Sequence, residues 1–235
     1  MADLGLKESE STYARWIQAV ALDMDGLLLN TEDLYEIVGE ELMRRRGKTY
    51  RDAVRQAMMG LPAPKAYAVL IEAEGLTEDW LTLQSESDEI FEAILPTRLE
   101  VMPGAIHLID QLDCLGLPRC VATSSRRIFA ERALTMVGIL GRVDFVITAE
   151  DVTNGKPYPD IYQASALRMN TTPERMLVLE DSAIGTSAGV AAKAHVISVP
   201  NRHTAGSNFR GAQMIAQIGL HSPEIYEALN RIHHE

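Results

Sequence analysis

The first apolar run of the chain, Ile17-Gln18-Ala19-Val20-Ala21-Leu22, is short and stops at two carboxylates, Asp23-Met24-Asp25-Gly26. A brief apolar run bounded by polar and turn residues fits a buried strand. From Asn30 the spacing turns helical. Residues 32–46 are rich in helix formers and close at Gly47, with Asn30 or Thr31 as N-cap. Helical character continues over 52–59, 65–74 and 77–95, broken at Gly60-Leu61-Pro62, Gly75 and Pro96. No strand is expected between 32 and 97.

Past Pro103 the rhythm changes. A helix over 105–115 ends at Gly116, and a strand follows over 117–123. The alternation repeats: helix 127–137 ending at Gly138, strand 145–148, helix 159–169 opened by Pro159 at its first position, strand 176–179, small-residue helix 185–192, strand 195–199. Strands alternating with helices predict a parallel sheet with helices on both faces. The simplest organisation is an α/β core interrupted by a helical insert of about 65 residues.

The chain has 235 residues, 46% of them hydrophobic, enough for one large domain or two small ones. Lys and Arg number 22 against 33 Asp and Glu, a net charge of −11. That balance argues against nucleic acid and anionic membrane surfaces as partners. It leaves anionic small molecules open, because a metal and a few lysines invert the local field. Cys114 and Cys120 are too few for a disulfide scaffold and lack metal-type spacing, so reduced thiols in a cytoplasmic protein are expected. The polar, acidic start, Met1 to Ser11, carries no apolar segment of the signal-peptide kind, and no run approaches a transmembrane helix. The expected oligomeric state is a monomer or weak homodimer.

The carboxyl edge of such a sheet is where ligands bind. Asp23 and Asp25 emerge there, and Asp-x-Asp offers cation ligands, a carboxylate nucleophile and an acid/base group. Three more segments reach the same edge: Thr123-Ser124-Ser125-Arg126, Asn154-Gly155-Lys156-Pro157 and Glu180-Asp181-Ser182. Carboxylates, hydroxyls and a lysine together suit phosphoryl transfer to a carboxylate.

These four segments resemble the four motifs of the haloacid dehalogenase superfamily, in its Mg2+-dependent phosphohydrolase branch. The similarity runs from about Val20 to Pro200 and is closest to the β-phosphoglucomutase-like group, which includes sugar-phosphate and pseudouridine-phosphate phosphatases. Asp23-Met24-Asp25-Gly26-Leu27-Leu28-Leu29 and Gly155-Lys156-Pro157-x-Pro159-Asp160 carry it most specifically. The resemblance implies a Rossmann-like core, 17–31 with 98–235, interrupted by a C1-type helical cap over 32–97 and preceded by an extension over 1–16. It further implies Asp23 as the nucleophile that becomes aspartyl-phosphate, and Asp25 as general acid/base whose carbonyl also ligates Mg2+. Thr123 matches the hydroxyl on the phosphoryl group, with Ser124 adding a backbone donor, and Lys156 pairs nucleophile and phosphate. Asp181 matches the direct Mg2+ ligand, with Glu180 direct or through water. Gly26, Ser125, Arg126 and Tyr35 are expected around the substrate, a small phosphorylated metabolite.

Structural roles are expected elsewhere. Met58, Met59 and Tyr67 fit cap core; His107, His203 and His221 show no ligand spacing and fit the surface; Arg44-Arg45-Arg46 fits a solvated helix end. The chain departs from the family pattern at four places. Asn30 stands where Asp is common. No arginine follows the break between Gly60 and Lys65, and Tyr35 replaces a histidine; both weaken a phosphosugar-mutase reading. Lys193 stands where glycine usually closes a helix, at a cost of about 1 kcal/mol if the position needs positive φ. Beyond the mutase, the rivals are a receiver-type phosphoacceptor module, disfavoured by the large insert and by Asp25, and a catalytically silent binding protein. A true dehalogenase needs neither Asp25 nor a metal.

Overall fold

The computed structural model describes residues 16–58, 61 and 63–231. Residues 1–15 of the expected extension, Met59, and the Gly60 and Pro62 of the expected break lie outside them. Six strands form one sheet: β1 (Ala19–Leu22), β2 (Arg119–Ala122), β3 (Phe145–Ile147), β4 (Met176–Glu180), β5 (His195–Ser198) and β6 (Met214–Ile215). Their order is β3-β2-β1-β4-β5-β6, every pair parallel. The helices among the described residues are α1 (Thr31–Arg44), α2 (Asp52–Met58), α3 (Ala63–Glu74), α4 (Trp80–Arg98), α5 (Ala105–Leu115), α6 (Arg127–Met136), α7 (Asp160–Arg168), α8 (Ala183–Ala191) and α9 (Pro223–Asn230).

Alternation along β1 divides its side chains between two layers. Val20 and Leu22 join the apolar cluster under α5, α6 and α9, whereas Ala19 and Ala21 face the one under α7 and α8. The strand order reverses between β1 and β4, which opens a crevice at their carboxyl ends. Leu22 pairs with Val121 on one side and Leu179 on the other. That register delivers Asp23 and Glu180 level with each other and Thr123 one residue further along.

Helices α1 to α4 bury a third apolar cluster, which includes Leu34, Leu42, Leu70, Leu83 and Phe91. Burying each such side chain contributes roughly 1.5–3 kcal/mol, which sustains helices too short to persist alone. Phe129 of α6 packs against both this cluster and the sheet. Its ring meets Phe91 edge-on at 5.5 Å, and Phe91 stacks on Tyr35 at 4.9 Å.

The two chain crossings into this helical layer lie side by side. Leu29 and Val101 form an antiparallel bridge, Asn30 N donates to Glu100 O (3.1 Å), and Met102 N donates to Leu28 O (2.8 Å). Asn30 occupies the N-cap position of α1, but its side chain makes no cap bond. Its Nδ2 instead donates to Arg98 O (3.1 Å) and its Oδ1 accepts from Glu100 N (2.8 Å), so the carboxamide pairs like a short piece of strand.

Several expectations need correction. Helix α4 runs through Pro96 to Arg98: the ring removes only the N–H that would reach Glu92, an exposed residue, and Leu99 N still closes on Leu95 O at 3.1 Å. Pro159 caps α7 rather than occupying its first turn. Arg46 is not a solvated charge; it is mostly buried and pairs with Glu78 and Glu86, pinning α1 to α4. Met58 and Tyr67 do pack against the third cluster. No helix of the described residues is long and apolar enough to cross a membrane.

Candidate active site

The alternation that leaves Met24 fully buried turns Asp23 and Asp25 to the opposite side, into the crevice. Asp23 is 5% exposed. Lys156 Nζ donates to Asp23 Oδ1 (2.5 Å), Glu180 Oε1 (2.6 Å) and Ala122 O (2.9 Å), which uses all three of its protons. The loop that carries Lys156 is closed by Asp160, whose Oδ1 accepts from Asn154 N (3.2 Å) and Nδ2 (3.0 Å).

Glu180 is fully buried, not a rim charge. Besides Lys156, its Oε1 accepts from the Tyr162 hydroxyl (2.5 Å), and its Oε2 accepts from Ser182 N (3.3 Å) and Oγ (3.0 Å). Helix α8 approaches so closely that a Cβ on Gly185 would overlap this carboxylate. Asp25 is held differently. Thr31 Oγ1 donates to its Oδ1 (2.9 Å), while Thr123 Oγ1 (2.8 Å) and Ser125 Oγ (2.9 Å) donate to its Oδ2. Ser125 N in turn donates to Thr123 Oγ1 at 2.9 Å.

Carboxylate oxygens of Asp23, Glu180 and Asp181 lie within 4.8 Å of one another. Burial, then the Glu180 charge, pushes the Asp23 carboxyl well above the usual range, with Lys156 opposing. Burial, then Asp23 and Glu180, does the same to Asp181. Burial also works against a charged Lys156, but Asp23 and Glu180 outweigh it and hold the lysine protonated. Three buried carboxylates facing one lysine are short of positive charge. An all-oxygen donor set with that deficit fits a hard divalent cation. The neighbouring Gly26 has φ +78°, and a Cβ there would collide with Asp181 Oδ2 and Asn201 Nδ2. Glycine is required on both counts.

The remaining expected residues sit around this centre. Ser124 is exposed, and Arg126 has 83% of its side chain in solvent, 3.6 Å from Glu150. Tyr35 lies one turn along α1 from Thr31. About half of it is exposed (49%), yet the protein crowding its hydroxyl, then Asp25 and Glu32, pushes that hydroxyl above its usual pKa and keeps it a neutral donor.

Sequence reasoning missed several groups. Tyr162 and Ser182 hold Glu180, Thr31 holds Asp25, and Asn201 touches Asp181. Glu32 lines a cavity of about 290 Å³ with Gly26, Asn30 and Asn201. Its carboxyl is pushed up to about 7 by burial, then by Asp25. His203 is not a surface residue: its side chain is 3% exposed, between Asp33 (2.7 Å) and Arg55 (2.8 Å). His107 and His221 are exposed, as expected. Two of the missed groups carried a signal, Thr31 as a cap candidate and Ser182 as the end of the acidic segment; Tyr162 and Asn201 act through contacts about 20 residues away in sequence.

A parallel sheet that presents an Asp-x-Asp pair, a buried lysine and an acidic pair at one switch point has the groups to handle phosphoryl chemistry. Residues 20–199 match the family model for haloacid dehalogenase-like hydrolases. The chain belongs to that family and is a phosphoric monoester hydrolase. It is 33% identical over 186 residues to validoxylamine A 7'-phosphate phosphatase of Streptomyces hygroscopicus subsp. limoneus, covering 78% of this chain and 85% of the relative. It is 30% identical over 217 residues to a probable pseudouridine-5'-phosphatase of Drosophila melanogaster, covering 89% and 94%. Among solved structures it is similar to a putative β-phosphoglucomutase from Thermotoga maritima, with TM-score 0.76, 26% identity, and 91% and 97% coverage.

Proposed function

We propose that this enzyme is a Mg2+-dependent phosphatase that hydrolyses a small phosphomonoester, of the sugar-phosphate or nucleoside-monophosphate class, through aspartyl-phosphate at Asp23. The observation that carries the proposal is the separation of roles between the two acids. Asp23 is gripped by a protonated lysine, and Asp25 by three hydroxyls.

Asp23 attacks phosphorus in line, and Asp25 gives its proton to the leaving alcohol. Asp25 then takes a proton from water, which attacks phosphorus and releases phosphate from Asp23. Lys156 neutralises charge on the nucleophile and the phosphoryl oxygens. Asp23, Asp181 and the Asp25 carbonyl would hold Mg2+, with Glu180 behind them. When bound, the cation supplies charge neutralisation for the phosphoryl group. Residues 32–97 act as a cap that closes over the ester, excludes bulk water and selects the substrate, with Tyr35, Ser125 and Arg126 at its rim. The names of the relatives, phosphatases of phosphorylated metabolites, support the substrate class. The mutase alternative is weakened by the sequence of the cap, which carries no arginine between Gly60 and Lys65 and has Tyr35 in place of a histidine.

Asp23→Asn should abolish phosphate release from a panel of sugar phosphates, nucleotides and polyol phosphates while the circular dichroism spectrum stays native. Persistent release removes Asp23 as nucleophile. EDTA should silence the enzyme and Mg2+ restore it; indifference to both removes the metal.

A further inference from the structure

We infer that Asn201 is a positioning residue for the metal centre: its carboxamide sets the orientation of Asp181 and of the Gly26 turn together. The inference rests on the proposed Mg2+ site.

Asn201 follows β5 across Pro200, at the edge where β4 releases Asp181. Its Nδ2 donates to Asp181 Oδ2 (2.9 Å) and to Gly26 O (3.0 Å). Its Oδ1 accepts from His203 N (2.8 Å), Thr204 N (3.2 Å) and Thr204 Oγ1 (3.4 Å). Acceptors on one side and donors on the other fix which end of the amide is which. The turn alone would be served as well by aspartate or serine. Only the carboxamide adds two donated bonds from the same side chain.

Those two bonds fall on groups that have reason to move. Asp181 is buried beside Asp23 and Glu180, so like-charge repulsion favours its rotation away. A donor on Oδ2 holds the carboxylate in place and would leave Oδ1 to hold a cation. The bond to Gly26 O ties down the Gly26–Leu27 peptide, one residue past Asp25, whose own carbonyl is another expected ligand. The loop is itself anchored from outside the sheet. His203 bonds Asp33 of α1, and Arg202 pairs with Asp33 (2.8 Å) and with Glu36. Partners behind metal ligands of this kind typically change metal affinity by about 10–100-fold when removed.

The test is a calorimetric titration of Mg2+ alone into the full chain, wild type against Asn201→Ser and Asn201→Ala. Serine can still accept the turn's N–H groups but is too short to reach both acceptors. Both variants should bind Mg2+ about 10–100-fold more weakly, with the unfolding midpoint of the metal-free protein near wild type. In turnover, the Mg2+ requirement should rise by a similar factor while KM for the ester stays put and kcat at saturating Mg2+ falls less. Wild-type Mg2+ affinity in Asn201→Ser overturns the inference and leaves the phosphatase proposal standing. A wild-type chain that takes up no Mg2+ overturns the metal reading and the inference with it.

Discussion

Lys193 stands at φ +65°, two residues past the end of α8. Ala194 N donates to Gly189 O (3.0 Å) and Lys193 N to Val190 O (2.9 Å), the paired bonds of a helix end that turns through a left-handed residue. A side chain there costs about 1–2 kcal/mol against its own carbonyl. Glycine removes that strain but loses about 0.5–1 kcal/mol through its freer unfolded state. The net gain for Lys193→Gly is therefore roughly 0.5–1 kcal/mol. For 235 residues the unfolding entropy is about 0.5 kcal/mol/K, so the midpoint should rise by about 1–2 °C, and the urea midpoint should rise with it. Lys193→Ala separates strain from charge, because it deletes the ammonium near Glu174 but keeps Cβ and should gain nothing. If alanine stabilises as much as glycine, or glycine gives no gain, the strain argument is wrong. Asn170 is the internal comparison: it sits at φ 54°, but asparagine tolerates that region, so Asn170→Gly should gain less.

Lys156→Met leaves Asp23 and Glu180 buried without their cation and should destabilise by about 3–5 kcal/mol near neutral pH. Because the folded Asp23 carboxyl is raised, the defect should shrink as pH falls and the acid protonates; equal urea-unfolding losses at pH 5 and pH 8 would contradict this. Glu32 is also raised, from 4.5 to about 7, so the folded state is favoured below 4.5 and loses that advantage as pH climbs to 7. In EDTA, Glu32→Gln should then stabilise at pH 8 by no more than about 3 kcal/mol, and not at pH 4. A pH-independent effect would show that the carboxyl is solvated.

The strand-end acids and Lys156 were legible because each motif packs its chemistry into a few consecutive residues at a predictable edge. The groups that orient them were not. Tyr162 reads as one more apolar position of α7, and nothing in Pro200-Asn201-Arg202 points to a carboxylate 20 residues earlier. His203 and Arg46 look like surface residues until their carboxylate partners are placed. The last part of the fold divides in the same way. Helix α9 carries a readable start, Ser222-Pro223-Glu224, with Pro223 at its first position. Strand β6 is two exposed residues beside Gln213, whose side chain reaches Val196 N at 2.6 Å, and offers no period at all.

The narrow neck at Asn30 has an evolutionary consequence. The helical layer enters and leaves the sheet through crossings that bond to each other, from Leu28 to Met102 and from Asn30 to Arg98 and Glu100. Whatever lies between them can be lengthened, exchanged or redrawn while the sheet keeps its register and Asp23 its place. On the proposed function, recognition and chemistry sit on separately heritable pieces of the chain, and new substrates can be acquired without reinventing the reaction.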